Sequence, residues 1–220
     1  MKLVIGDKNY SSWSMRPWLV LKHFGIECEE VMVWLNEADT KAQILAHSPS
    51  GKVPCLIADD GVIVWDSLAI CETLAELFPD RCLWPSESLA RMTARAVSAE
   101  MHSGFGELRK AMPMNIRSLH PDKGRTPGAL KDIERIAALW EACRNRFGGG
   151  GDLLFGAFSC ADAMFAPVVM RFETYRVSLP PVAQRYADAV RNLPSVQEWC
   201  AGALAETEFV PADEPYATRV

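Results

Sequence analysis

The chain has 220 residues, 49% hydrophobic and 23% charged, with a formal net charge of −5. That balance suits a globular protein with a sizeable core, and the acidic surplus argues against nucleic acid or an anionic membrane as partner. No apolar run approaches the roughly 18 residues needed to cross a bilayer, and the stretch Met1 to Asp7 is too short and too soon charged for a secretion signal.

Leu3-Val4-Ile5 reads as a strand, and Trp18 to Phe24 as a helix closed by Gly25. Between them runs Asn9-Tyr10-Ser11-Ser12-Trp13-Ser14-Met15-Arg16-Pro17, which sets serines where a strand hands over to a helix. Backbone N–H groups at a helix start lack partners and carry the positive end of the helix dipole, so an anion beside Ser11 or Ser12 would be stabilised. The plainer reading makes these serines helix caps. Pro17 suits a first helical turn. Cys28 to Leu35 suits a second strand and Asp39 to Ala46 a short helix, followed by turn chemistry at His47 to Gly51. Val53 to Ala58 is a third strand with Pro54 near its start, where a missing N–H is tolerated. Asp60-Gly61 turns the chain into Val62 to Trp65.

Asp66-Ser67 opens a helix whose apolar positions Ile70, Leu74, Leu77 and Phe78 keep helical spacing, and Pro79 stops it. Phe78 to Ser86 reads as a linker, and beyond Glu87 strand signals vanish. One long helix is expected from Ser88 to about Ala111, with Pro113 ending or kinking it. A loop from Leu119 to Pro127 leads to a helix over Gly128 to Phe147. The four glycines at 148–151 are a connector, since no Gly-Lys-Ser/Thr follows them. Ser159 and Asp162 form a capping box for a helix to Tyr175, and Asp162 reads as a structural cap. Helices are expected over Val182 to Arg191 and Ser195 to Leu204, the latter with a second capping box at Ser195 to Glu198, and the tail from Pro211 reads as loose.

The seven cysteines are odd in number and contain no Cys-x-x-Cys pair. They read as reduced and mostly buried, which fits a cytoplasmic setting. The four histidines are scattered, and no metal site is expected. Met112, Met114, Asn115 and Arg117 could wall a second pocket or simply end a kinked helix. Phe105 and Trp13 likewise read as pocket wall or core.

An α/β N-terminal half over residues 1–80, followed by an all-helical half over residues 88–210, resembles the cytosolic glutathione transferases. Ser11-Ser12-Trp13-Ser14-Met15-Arg16 is similar to the Ser-Ser-Cys-Ser-x-Arg segment of the zeta class, the maleylacetoacetate isomerases. Gly51-Lys52-Val53-Pro54 with Trp65-Asp66-Ser67 resembles the family's Val-Pro strand and its Glu/Gln-Ser pair, and Phe158 to Asp162 resembles its folding cap. The resemblance implies a thioredoxin-like domain joined to a helical bundle, glutathione as cosubstrate, a small electrophilic second substrate and a homodimer. It implies that Val53 offers backbone groups to the cysteinyl part of glutathione beside a cis Pro54. Asp66 would meet the γ-glutamyl amino group, Ser67 the γ-glutamyl carboxylate and Lys52 the glycine carboxylate. Ser11 matches the catalytic serine, with Ser12 its neighbour. Trp13, Phe105, Met112, Met114 and Asn115 would line the electrophile pocket.

A free thiol is mostly protonated at neutral pH, and a hydroxyl donor at a helix N-terminus favours the thiolate. The expected reaction is therefore attack of the glutathione sulfur on an apolar electrophile. The alternatives are isomerisation of a small diacid, for which Arg16, Arg109 and Arg117 are the suggestive cations, and a non-catalytic binding protein. Trp13 stands where the zeta class has Cys, which weakens the isomerase reading.

Overall fold

The computed structural model describes residues 1–217. β1 (Lys2–Ile5), α1 (Ser12–His23) and β2 (Glu29–Met32) form a parallel strand-helix-strand unit, since parallel neighbours need a crossover rather than a tight turn. A short α2 (Thr40–Leu45) leads to the hairpin β3 (Cys55–Ile57) and β4 (Ile63–Trp65), and α3 (Ser67–Leu77) follows. The sheet order is β2-β1-β3-β4, with β3 antiparallel to β1 and β4 antiparallel to β3. Side chains alternate along β1, so Leu3 and Ile5 join the main core while Val4 meets Val33, Ile44 and Cys55 on the other face. Both faces are covered, which is why three consecutive apolar residues are buried there.

The second half is helical: α4 (Ser88–Ser103), α5 (Gly106–Ala111), α6 (Pro127–Phe147), α7 (Cys160–Thr174), α8 (Pro181–Arg191) and α9 (Pro194–Ala205). α7 is buried along nearly its whole length and packs against α1, α4 and α8. Its start is fixed by Asp162, which accepts from Leu154 N at 3.0 Å and Ser159 N at 2.9 Å, in the capping box the sequence suggests.

The expected single helix over 88–111 is two helices. Gly104 is extended, and Phe105 takes the left-handed region at φ 58°. A Cβ on Gly104 would meet Glu100 O at 2.7 Å, so the break needs glycine. The unfavourable angle at Phe105 is offset by burial of its ring, and Asp132 accepts from Leu108 N at 2.9 Å to seat α5 on α6. The second capping box does not form. Pro194 starts α9 one residue earlier, which places Ser195 inside the helix with its hydroxyl buried and unpaired.

The tail is not loose up to residue 217. Glu206 accepts from Lys8 N and Asn9 N, Tyr10 donates to Glu214 at 2.7 Å, and Tyr216 donates to Ala111 O at 2.8 Å. The Glu206 and Glu214 contacts hold the loop that leads into α1, and Tyr216 ties the segment to the end of α5. Of the seven cysteines, all free, four are buried, Cys28 and Cys200 are half-buried and Cys82 is exposed. Among the described residues no helix is long and apolar enough to cross a membrane, and no acidic, His and Cys cluster could hold a metal ion.

Candidate functional site

A cleft of about 520 Å³ opens between the strand hairpin, the start of α3 and the end of α4, a size suited to a ligand as large as a small peptide. The structure brings Lys52, Val53, Pro54, Asp66, Ser67 and Trp13 together around it, joined by Ser50, Trp65 and His102. The Val53–Pro54 bond is cis. Phe105, Met112, Met114 and Asn115 do not border the cleft. The first three are in the core, and Asn115 is buried with its side chain bonded to Asn9 at 3.0 Å.

Asp66 sits at φ 77°, in the region that favours glycine. Its Oδ1 accepts from Leu68 N at 2.9 Å and Ala69 N at 3.4 Å, which caps α3 and holds the residue in place. Its Oδ2 lies 3.1 Å from His102 Nε2. Ser67 is buried with an unpartnered hydroxyl. A buried hydroxyl without a partner is costly unless something supplies one, and here it stands at a helix N-terminus, where backbone N–H groups also face an anion.

Ser11 and Ser12 lie behind the cleft, 7% and 5% exposed. Ser11 donates to Ser14 Oγ at 2.7 Å, and Ser14 Oγ in turn accepts from Gly6 N. Ser12 Oγ accepts from Arg171 at 3.2 Å. The hydroxyl proton of Ser11 is therefore committed, while Ser12 Oγ is engaged as an acceptor only, among the described residues.

Arg171 was not singled out in the sequence, yet it belongs to the most unusual cluster in the molecule. Arg16, Arg109 and Arg171 converge behind Trp13 and Ser12. The Arg16 guanidinium stacks on the Trp13 ring at 3.9 Å, with Arg109 at 5.5 Å from the same ring. Their hydrogen bonds run to the carbonyls of Met164, Met101, Met112 and Pro167 and to Ser12, and among the described residues none goes to a carboxylate. Both terminal nitrogens of Arg16 are buried without partners among the described residues. Burial, then repulsion from Arg171 and Arg109, pushes Arg16 down to about 9. Burial and Arg109 push Arg171 down to about 10, and burial lowers Arg109. The signal for Arg171 was available: a lone charge inside the apolar run from Phe165 to Phe172. Arg117 stands apart from this cluster, donating to Tyr10 and to the carbonyls of Glu206 and Glu208.

The N-terminal domain family of the glutathione S-transferases matches residues 10–77, and the C-terminal domain family matches residues 99–202. A probable maleylacetoacetate isomerase from Caenorhabditis elegans is 37% identical over 84% of this chain and 85% of its own length. Among solved structures, a sphingomonad glutathione S-transferase complexed with glutathione is 27% identical with TM-score 0.65, covering 93% of this chain and 100% of its own. A glutathione transferase homologue from Burkholderia with bound glutathione is 25% identical with TM-score 0.68, covering 93% of this chain and 98% of its own.

Proposed function

This chain belongs to the glutathione S-transferase family, and on that premise we propose that it uses the thiolate of glutathione to isomerise an unsaturated, carboxylate-bearing substrate. Residues 1–80 hold glutathione through Val53, Asp66, Ser67 and Lys52, and residues 88–210 supply much of the second-substrate side. The observation that carries the choice of substrate is the arginine cluster. Arg16 is wholly buried with two unpartnered nitrogens beside two further guanidinium groups, and among the described residues Asp66, Asp132 and Asp213 act on the three only from a distance, with no carboxylate hydrogen-bonded to them. Such a field suits an anion that arrives with the substrate. The name of the nematode relative points to the same reaction.

In this reading the glutathione sulfur adds to one carbon of a double bond conjugated to a carbonyl. The electron pair moves to the carbonyl oxygen, where the guanidinium groups stabilise it. Rotation about the new single bond and expulsion of the sulfur restore the double bond in the other configuration, so glutathione is regenerated. Trp13 takes no covalent part. Ser12 donates to the sulfur, and the helix dipole of α1 favours its charge. Conjugation of an apolar electrophile is the second reading, favoured by the aromatic cleft walls Trp13 and Trp65.

The two are separated by glutathione stoichiometry. A cis-configured unsaturated keto acid should turn over many times per glutathione with no loss of free thiol. An aromatic halide consumed one-for-one with thiol, with no isomerisation of the keto acid, would overturn the isomerase reading. We further propose a cytoplasmic homodimer seated on the exposed Leu77, Leu89 and Met92 of α3 and α4. A monomer mass by light scattering across micromolar concentrations would refute the dimer.

A further inference from the structure

We propose that His102 is a positioning residue for glutathione, acting through Asp66. The proposal rests on the glutathione reading above. Asp66 has two carboxylate oxygens and two obligations. Oδ1 is taken by the backbone of α3 at Leu68 and Ala69. Only Oδ2 is left to meet a ligand's ammonium, and its direction is set by the His102 Nε2 at 3.1 Å. A carboxylate oxygen accepts more than one hydrogen bond, so Oδ2 can hold the imidazole N–H and a ligand N–H together.

His102 comes from the last turn of α4, in the helical half of the chain, while Asp66 precedes α3 in the other half. The imidazole is itself held, with its ring edge-on to Trp13 at 5.3 Å, and Trp13 rests on Arg16. Nε2 faces a carboxylate and so carries the proton, while Nδ1 is buried without a partner. That arrangement fixes one ring orientation, as a hydrogen-bonded carboxylate does for a histidine elsewhere. The other charged group at the cleft, Lys52, is exposed. His102 therefore sets the angle of Asp66 across the seam between the two halves of the chain and does not itself touch the reacting sulfur.

The test is titration calorimetry on the full chain with two probes, glutathione and an analogue lacking the γ-glutamyl α-amino group. His102→Ala should weaken glutathione binding by roughly ten- to a hundredfold, the scale of one hydrogen bond to a charged group. His102→Gln, whose amide N–H can reach Asp66, should recover most of that loss. With the deaminated analogue, wild type and His102→Ala should bind alike, because the group Asp66 is aimed at is gone. Equal glutathione affinity of wild type and His102→Ala would overturn the proposal. So would an equal loss with both probes, which marks a general structural defect. Failure of the wild type to bind glutathione would instead remove the reading beneath it.

Discussion

Replacing Arg16 by Met should make the protein more stable and less able to bind its substrate. Moving the guanidinium from its usual value down to about 9 corresponds to roughly 5 kcal/mol of disfavour for the charged form. At neutral pH Arg16 still carries that charge, so the folded state bears the cost. Met at this site loses the hydrogen bond from Nε to Met164 O at 3.2 Å and the stacking on Trp13. Together those are worth about 1–3 kcal/mol. The net expectation is a gain of roughly 2–4 kcal/mol, in line with buried charges replaced by apolar groups of similar volume. For a chain of this length each kcal/mol moves the melting temperature by about 2–4 °C. Urea midpoints and thermal melts of wild type and Arg16→Met read the stability side, and KM for the keto acid reads the binding side, with a rise of about a hundredfold expected. Destabilisation by more than about 1 kcal/mol would refute the reasoning, because it would mean that the guanidinium is satisfied by the fold and not held for an anion.

Ser12→Ala should lower the thiolate fraction of bound glutathione at neutral pH by about tenfold, read from thiolate absorbance against pH. Ser11→Ala should do less, since its proton already goes to Ser14, and a larger effect at Ser11 would reverse the assignment. Burial raises Asp162 to about 6, above its unfolded value. The native state thus binds the extra proton, and this contribution is complete below about pH 4 and is lost as pH rises through about 6. The stability of wild type relative to Asp162→Asn should therefore fall by up to ~3 kcal/mol over that rise, and a difference that stays flat across urea titrations would contradict it.

Local chemistry made much of the architecture readable. The run Leu3 to Ile5, the Asp60-Gly61 turn and the Ser159–Asp162 capping box each specify their own element from neighbours in sequence. The cleft residues at 52–54 and 66–67 were reached differently, through the family resemblance that two short motifs carry. What escaped depends on contacts between distant residues. The break at Gly104 and Phe105 requires a buried pocket for an aromatic ring and a carboxylate from α6, neither visible in the helical spacing of 88–111. The approach of Arg171 to Ser12 spans 159 positions and that of Lys8 to Glu206 spans 198, so no pattern within one element announces them. The expected role of Ser195 failed for a local reason that was legible, because Pro194 is the better first residue of a helix.

The clasp that Glu206, Arg117 and Glu214 make on the loop from Lys8 to Tyr10 has a consequence for the order in which the protein is made. The loop from Lys8 to Tyr10 is made before the groups that pin it: Arg117 follows Tyr10 by 107 positions, Glu206 follows Lys8 by 198, and Glu214 follows Tyr10 by 204. Until then the N–H groups of Lys8 and Asn9 have no carboxylate to meet. The sheet and α1 can assemble early, but the approach to the serines is finished only when 206–214 arrive. A bulky fusion placed directly after that segment would therefore disturb a reaction centre that lies at the opposite end of the chain in sequence.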